Sequence, residues 1–223
     1  MRQLKPREES FAIMARDLRR RFDCVILCEG KSDAEILKIL NHRLNLRLGD
    51  NIAITHAEGI SNLLELAKDI SALARVSRRL KLIGILIDLD DKAPSDGFQA
   101  IRISLKAVGL DLRNTKLLSQ QLYNGLLSLN DRSLDIKIAF AGLIDLPFQK
   151  HMIEDYIVKA ATIDGTISKN LLSMYGDAKT LLSAQSIDTN DFLTKVGIDV
   201  LEKAFAHLIT MLKEIRRILQ SQF

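Results

Sequence analysis

Three acidic positions stand at the ends of apolar runs in this 223-residue chain. Glu29 follows CVILC at 24–28, and Asp88 and Asp90 close the run LIGILIDL at 82–89. In an open parallel sheet the loops at the carboxyl ends of the strands line the ligand crevice, so residues just past each strand are where chemistry is expected. Side chains alternate along a strand, which predicts Asp88 and Asp90 on one side with Leu89 pointing away. With Glu29 on a neighbouring strand, three carboxylates converge. Two unit charges about 4 Å apart repel by roughly 4 kcal/mol at an effective dielectric near 20, so such a cluster needs a proton or a cation. Hard oxygen donors select Mg²⁺, with Mn²⁺ as a substitute, and Mg²⁺ keeps waters that phosphate oxygens can replace. The chemistry predicted is phosphoryl transfer or phosphodiester cleavage. Two structural readings stay open: Asp88, Asp90 and Asp91 as an acidic turn after a strand, and Glu29 as a helix N-terminal acid favoured by the macrodipole.

The elements that must position these residues read as α/β. Apolar runs at 24–28, 51–56, 82–89 and 136–141 alternate with amphipathic stretches, the pattern of βαβ units. A parallel sheet of about four strands flanked by helices is predicted. The continuous run 82–89 is expected in its centre, buried on both faces. A helix is predicted over 32–45, with Ser32 and Glu35 as a capping box. A second follows Gly59, and a third covers 96–108 with Gly109 as its stop. Residues 110–135 remain unassigned, Asn124-Gly125 being a turn signal within them. After Pro147 the chain reads as helical, with turns near Asp164-Gly165 and Gly176. Its last element, 199–220, carries a stripe from Leu201 through Phe205, Leu212 and Leu219 that packs on the parent domain or on a second copy in a homodimer. The organisation predicted is a basic segment over 1–21, an α/β domain over 22–160 and a helical extension over 161–223.

Composition bounds the function class. Hydrophobic residues make up 47% and charged residues 27%, the balance of a globular protein with one substantial core. No apolar run approaches the ~18 residues of a membrane span, and the opening MRQLKPREES is charged where a secretory signal is apolar. No membrane partner and a cytoplasmic location are therefore expected. Cys24 and Cys28 share a strand face but lie about 13 Å apart at strand rise, too far for a disulfide. Buried, inert thiols are predicted. Net charge is +4, with seven Lys/Arg against four Asp/Glu in residues 1–23, including Arg19, Arg20 and Arg21. A second basic cluster is Arg75, Arg78, Arg79 and Lys81. Either accommodates DNA or RNA, and either can equally be a solvated face.

Cys28-Glu29-Gly30-Lys31-Ser32-Asp33, after a hydrophobic strand, resembles the Glu-Gly motif that opens the Toprim domain, and Asp88-Leu89-Asp90 resembles its second signature. The resemblance spans residues 22–160. Toprim domains occur in primases, topoisomerases, OLD-type nucleases and ribosomal-RNA maturation nucleases. The resemblance implies a nuclease or phosphotransferase acting on DNA or RNA. Glu29 would serve in acid/base chemistry or metal binding, Asp88 and Asp90 would hold Mg²⁺, and Asp91 would be an auxiliary ligand. The segment 151–156 is similar to an acidic helix of nuclease-like members, which implies a second metal position at Glu154. The chain departs from the pattern where Asp91 to Asp96 intervene before Gly97. No tyrosine-nucleophile domain or zinc module is present, so topoisomerase and complete primase activity are not expected. The alternative is a non-catalytic adaptor that binds nucleic acid or protein. Gly30-Lys31-Ser32 also looks like the end of a Walker A loop, but Val25 stands where its first glycine is required. Of the histidines, His56 ends a strand near the expected crevice. His42 and His207 lie on helices, and His151 stands one turn before Glu154.

Overall fold

The computed structural model describes residues 1–3, 21–76, 78–129 and 132–220. The elements run β1 (Arg2–Gln3), β2 (Cys24–Cys28), α1 (Lys31–Arg43), β3 (Ile52–His56), α2 (Ile60–Val76), β4 (Leu82–Asp88) and α3 (Pro94–Ala107). Then come β5 (Leu112–Ser119), β6 (Leu122–Ser128), β7 (Ser133–Ala141), α4 (Glu154–Asp164) and a 3₁₀ turn at Lys169–Met174. The chain closes with α5 (Ala178–Ala184), α6 (Thr189–Lys195), α7 (Ile198–Ala204) and α8 (Ala206–Gln220). The predicted Arg19 and Arg20 lie outside the described residues.

The strands form one mixed sheet in the order β1-β3-β2-β4-β7-β6-β5. This is six strands of five residues or more plus the two-residue edge β1, where about four were predicted. The pairs from β1 through β7 are parallel, while β7-β6 and β6-β5 are antiparallel. The unassigned stretch thus supplies an antiparallel hairpin that widens the parallel sheet. The hairpin turns at Gln120-Gln121, and Asn124-Gly125 lies inside β6. A Cβ at Gly125 would come within 2.7 Å of Leu112 Cδ1 and 3.0 Å of the Arg113 carbonyl, so the glycine serves a close strand approach rather than a turn.

Alternation divides the core into two layers, as a sheet buried on both faces requires. Cys24, Ile26, Cys28, Leu82 and Leu86 face α1, α4 and the C-terminal helices. Val25, Leu27, Ile83, Ile85 and Ile87 face α2 and α3. Both cysteines are buried and unpaired, with burial pushing each thiol up, so neither is a ready thiolate.

The C-terminal stripe is spent inside the chain. Leu208, Met211, Leu212, Ile215 and Leu219 are buried, and a Cβ at Gly84 in mid-β4 would come within 3.3 Å of both Ile215 and Met211. The helix predicted over 199–220 breaks at Phe205, whose ring stacks on Tyr156 with centroids 5.4 Å apart. Arg43 at the end of α1 donates from Nη1 to the Leu193 carbonyl and from Nη2 to the Val196 carbonyl, both at 2.7 Å, tying the late helices to the first one. No helix among the described residues is long and apolar enough to cross a membrane.

Candidate functional site

Strand register brings the acidic positions to one edge. Cys28 pairs with both His56 and Leu86, and Asp88 pairs with Ala141, so Glu29, Asp88 and Gly142 all sit at the carboxyl ends of parallel neighbours. The Glu29 N–H donates to the Leu86 carbonyl at 3.0 Å, and Glu29 Oε2 accepts from the Asp88 N–H at 3.3 Å. The glutamate is thereby folded back over the end of β4.

Two helix starts complete the cluster. Gly30 is the N-cap of α1, two positions ahead of the predicted cap Ser32, and the box partner is Asp33 rather than Glu35: the Gly30 N–H donates to Asp33 Oδ2 at 2.9 Å. Asp33 is the helix's third residue and is buried, so its carboxylate lies over the strand ends rather than in solvent. On the other side, Asp88 Oδ1 accepts from the Ile153 N–H at 3.0 Å, just before Glu154 opens α4. Glu154 is buried at a helix start, where the macrodipole favours an anion.

Burial is the largest cause of raised proton affinity throughout. It pushes Asp88 up to about 9, helped by the charges of Asp33, Glu154 and Glu29. It pushes Asp33 up to about 7, helped by Glu154 and Glu29. Glu29 is also raised by burial and by Asp90, against the Asp88 N–H and the Lys92 cation, which lower it. Glu29, Asp33, Asp88 and Glu154 thus form a mutually repelling group, and Asp33 is a member that sequence reading missed. Its signal was the spacing from Gly30, which makes it the helix's third residue.

Asp90 and Asp91 take different positions. The strand ends at Asp88, one residue short of the prediction, so alternation does not extend to Asp90. Asp90 is exposed at a φ of 55° and pairs through its backbone with His151, the two N–H···O bonds measuring 2.8 and 2.7 Å. Asp91 is exposed in the turn that follows. Among the described residues no three His, Cys, Asp or Glu side chains are grouped in metal-ligating geometry. The donor set at the edge is nonetheless all oxygen, the type that suits Mg²⁺.

The bridge to Asp90 also presents His151, whose Nδ1 lies 2.9 Å from Asp155 Oδ2. Asp155 is fully buried, and the same oxygen accepts from the Leu143 N–H at 2.8 Å. Burial raises its carboxyl to about 6 against the lowering effects of Leu143 and His151. A carboxylate on Nδ1 fixes the imidazole tautomer and leaves Nε2 as the acceptor. Sequence reading set His151 one helical turn before Glu154, but α4 begins only at Glu154 and the hydrogen-bond partner is Asp155. Asp155→Ala is expected to destabilise the fold by about 3 kcal/mol in urea unfolding, because it orphans a buried N–H and frees the ring. Asp155→Asn keeps one acceptor oxygen, and a smaller loss is expected.

Of the remaining predicted groups, His56 ends β3 at the same edge but is buried, with Nδ1 lacking a hydrogen bond among the described residues. The cluster Arg75 to Lys81 precedes β4 and therefore lies at the amino edge, opposite the acidic group, where Arg79 pairs with Asp23 at 3.0 Å.

A family model covers residues 23–190, and it is the one described as "Protein of unknown function (DUF3226)". No Toprim model matches, so the Toprim assignment drawn from the Glu-Gly and Asp-x-Asp strings is corrected. Both strings are short, and acidic residues at strand ends arise in parallel sheets of many kinds. No curated protein and no solved structure matches the chain. With about three quarters of its length inside that one match, the chain belongs to the DUF3226 family.

Proposed function

We propose that the carboxyl edge of the sheet binds Mg²⁺, or Mn²⁺ in its place, and acts on a phosphodiester of DNA or RNA. The observation that carries this reading is the group of half-buried Glu29 and Asp88 with buried Asp33 and Glu154, gathered at strand and helix ends so that their charges oppose one another. A divalent cation relieves that repulsion where protons otherwise must. Exposed Lys31, Lys92 and Lys150 stand within two residues of Glu29, Asp90 and His151, a rim of cations for the phosphates of an approaching strand.

Asp88 and Glu154 would hold the ion, and Asp90 and Asp91 would serve as auxiliary ligands from the exposed turn. When bound, the ion would supply Lewis acidity toward a phosphoryl oxygen and lower the pKa of its water. Glu29, whose proton affinity is raised by burial, accepts the proton of the attacking water. His151, held by Asp155, positions the turn at Asp90 through its backbone, and the leaving oxygen takes its proton from solvent.

The test is a screen of single- and double-stranded DNA and RNA with Mg²⁺ or Mn²⁺. Wild type is expected to cleave at least one polymer, and Glu29→Gln to lose roughly 10²–10⁴-fold in rate. Binding without cleavage by wild type would sink the catalytic part and leave a non-catalytic adaptor.

A further inference from the structure

A cavity of about 730 Å³ opens beside the acidic edge, and nothing in the proposed phosphodiester chemistry uses it. Its position follows from register. Leu122 pairs with Ala139, two residues before the Ala141 that pairs with Asp88, so the β5-β6 turn stands at the same end of the sheet as the carboxylates. Helix α4 serves both places: Glu154 and Asp155 belong to the acidic side, while Tyr156 and Lys159 line the cavity.

The lining has the parts that a nucleoside phosphate needs. Lys159 and Lys203 bring ammonium groups whose ion pairs among the described residues are long, 3.9 Å to Asp145, which also lines the cavity, and 3.9 Å to Asp199. Those distances exceed hydrogen-bond length, so both cations keep donors for a phosphate. Helix α8, 15 residues long, begins at the cavity wall with Ala206 and His207, adding the positive end of its dipole. Ile144, a large apolar residue 56% exposed, offers a face for a base, and the exposed Gln120 offers an amide for its edge.

His207 lines the same wall, with Nδ1 3.5 Å from Ser119 Oγ. Burial lowers this imidazole to about 4 despite an opposing backbone contact at Phe140, so it stays neutral and adds no charge to the cavity.

We propose that this cavity receives the nucleotide unit adjoining the phosphodiester at the acidic edge, with its phosphate on Lys159 and Lys203 and its base against Ile144. The proposal rests on the reading of that edge as a nucleic-acid site. The volume falls in the range of about 300–1,000 Å³ typical of small-ligand pockets.

The experiment measures binding of labelled single-stranded hexanucleotides, DNA and RNA, and of the four ribonucleoside monophosphates. It is run in EDTA, so that metal binding at the edge plays no part. Strand binding is expected to weaken at least tenfold in Lys203→Glu, an exposed substitution, and in Ala206→Trp, which fills the cavity mouth. It is not expected to weaken in Lys68→Glu, a matched charge reversal on the exposed face of α2. Wild-type melting temperatures in both cavity variants would establish that they fold. Equal strand binding by wild type and both variants, or no strand binding in EDTA at all, would overturn the cavity assignment. Metal-dependent cleavage surviving that result would leave the reading of the edge intact. Monophosphates binding as tightly as the strands would assign the cavity to free nucleotides and overturn its place on a strand.

Discussion

Asp88→Asn is expected to raise the melting temperature of the metal-free protein at mildly alkaline pH and to abolish the stabilisation that millimolar Mg²⁺ gives the wild type. Asparagine keeps an oxygen for the Ile153 N–H and removes the charge that Asp33, Glu154 and Glu29 oppose. Relief of one close like-charge contact is worth up to about 4 kcal/mol at an effective dielectric near 20. For a chain of this size each kcal/mol moves the midpoint by about 2–4 °C. The sign of the pH dependence follows from the same residues. Asp33 and Asp88 are pushed to about 7 and about 9 in the fold, above the ~3.9 of an unfolded aspartate. The folded state therefore holds protons that the unfolded state has released, and stability is full below about pH 4 and lost as pH rises through 7 and 9. Thermal melts across that range with EDTA or Mg²⁺ measure it. A flat wild-type profile, or a variant that responds to Mg²⁺ as wild type does, would refute the repelling cluster.

Gly142→Ala is expected to be the most damaging single methyl in the molecule, with a loss of about 4 kcal/mol from combined backbone strain and overpacking. Gly142 follows β7 with a φ of 130°, outside the range that L side chains adopt readily. A Cβ there would lie 2.6 Å from His151 Cβ and 2.9 Å from its carbonyl carbon, so a side chain and the backbone of the Asp90 bridge would both have to move. The Gly142 carbonyl also accepts from Gln121 Nε2 at 2.9 Å and from the Tyr156 hydroxyl at 3.3 Å. Urea unfolding measures the loss, and activity should fall further than stability because the displaced segment carries His151. A change within 1 kcal/mol of wild type would mean that the bridge yields without resistance, contrary to the packing.

The parallel half of the sheet was legible because its strands are continuous apolar runs. Cys24–Cys28 and Leu82–Asp88 are buried on both faces and could be placed to within a residue, which also put Glu29 and Asp88 at strand ends. The antiparallel half was not legible because β5 is exposed from Arg113 to Leu118 and is broken by two register shifts, so its sequence carries no alternation. Asp33 and Asp155 look like ordinary acids of a helix's first turn. They become buried only because α1 and α4 pack with those turns over the strand ends, a tertiary fact that period and propensity do not encode. The break at Phe205 was hidden for the same reason, since an aromatic stacked on Tyr156 reads in sequence as one more member of an apolar stripe.

The cover that α6, α7 and α8 give the sheet separates two units often taken to coincide, the stretch a lineage preserves as a recognisable signature and the stretch that folds. The family match ends at residue 190, yet Leu193, Leu201, Phe205, Leu212 and Ile215 lie in the same apolar layer as Ile26 and Leu86. A relative that shared only the matched stretch would need another lid of equal apolar area over that face.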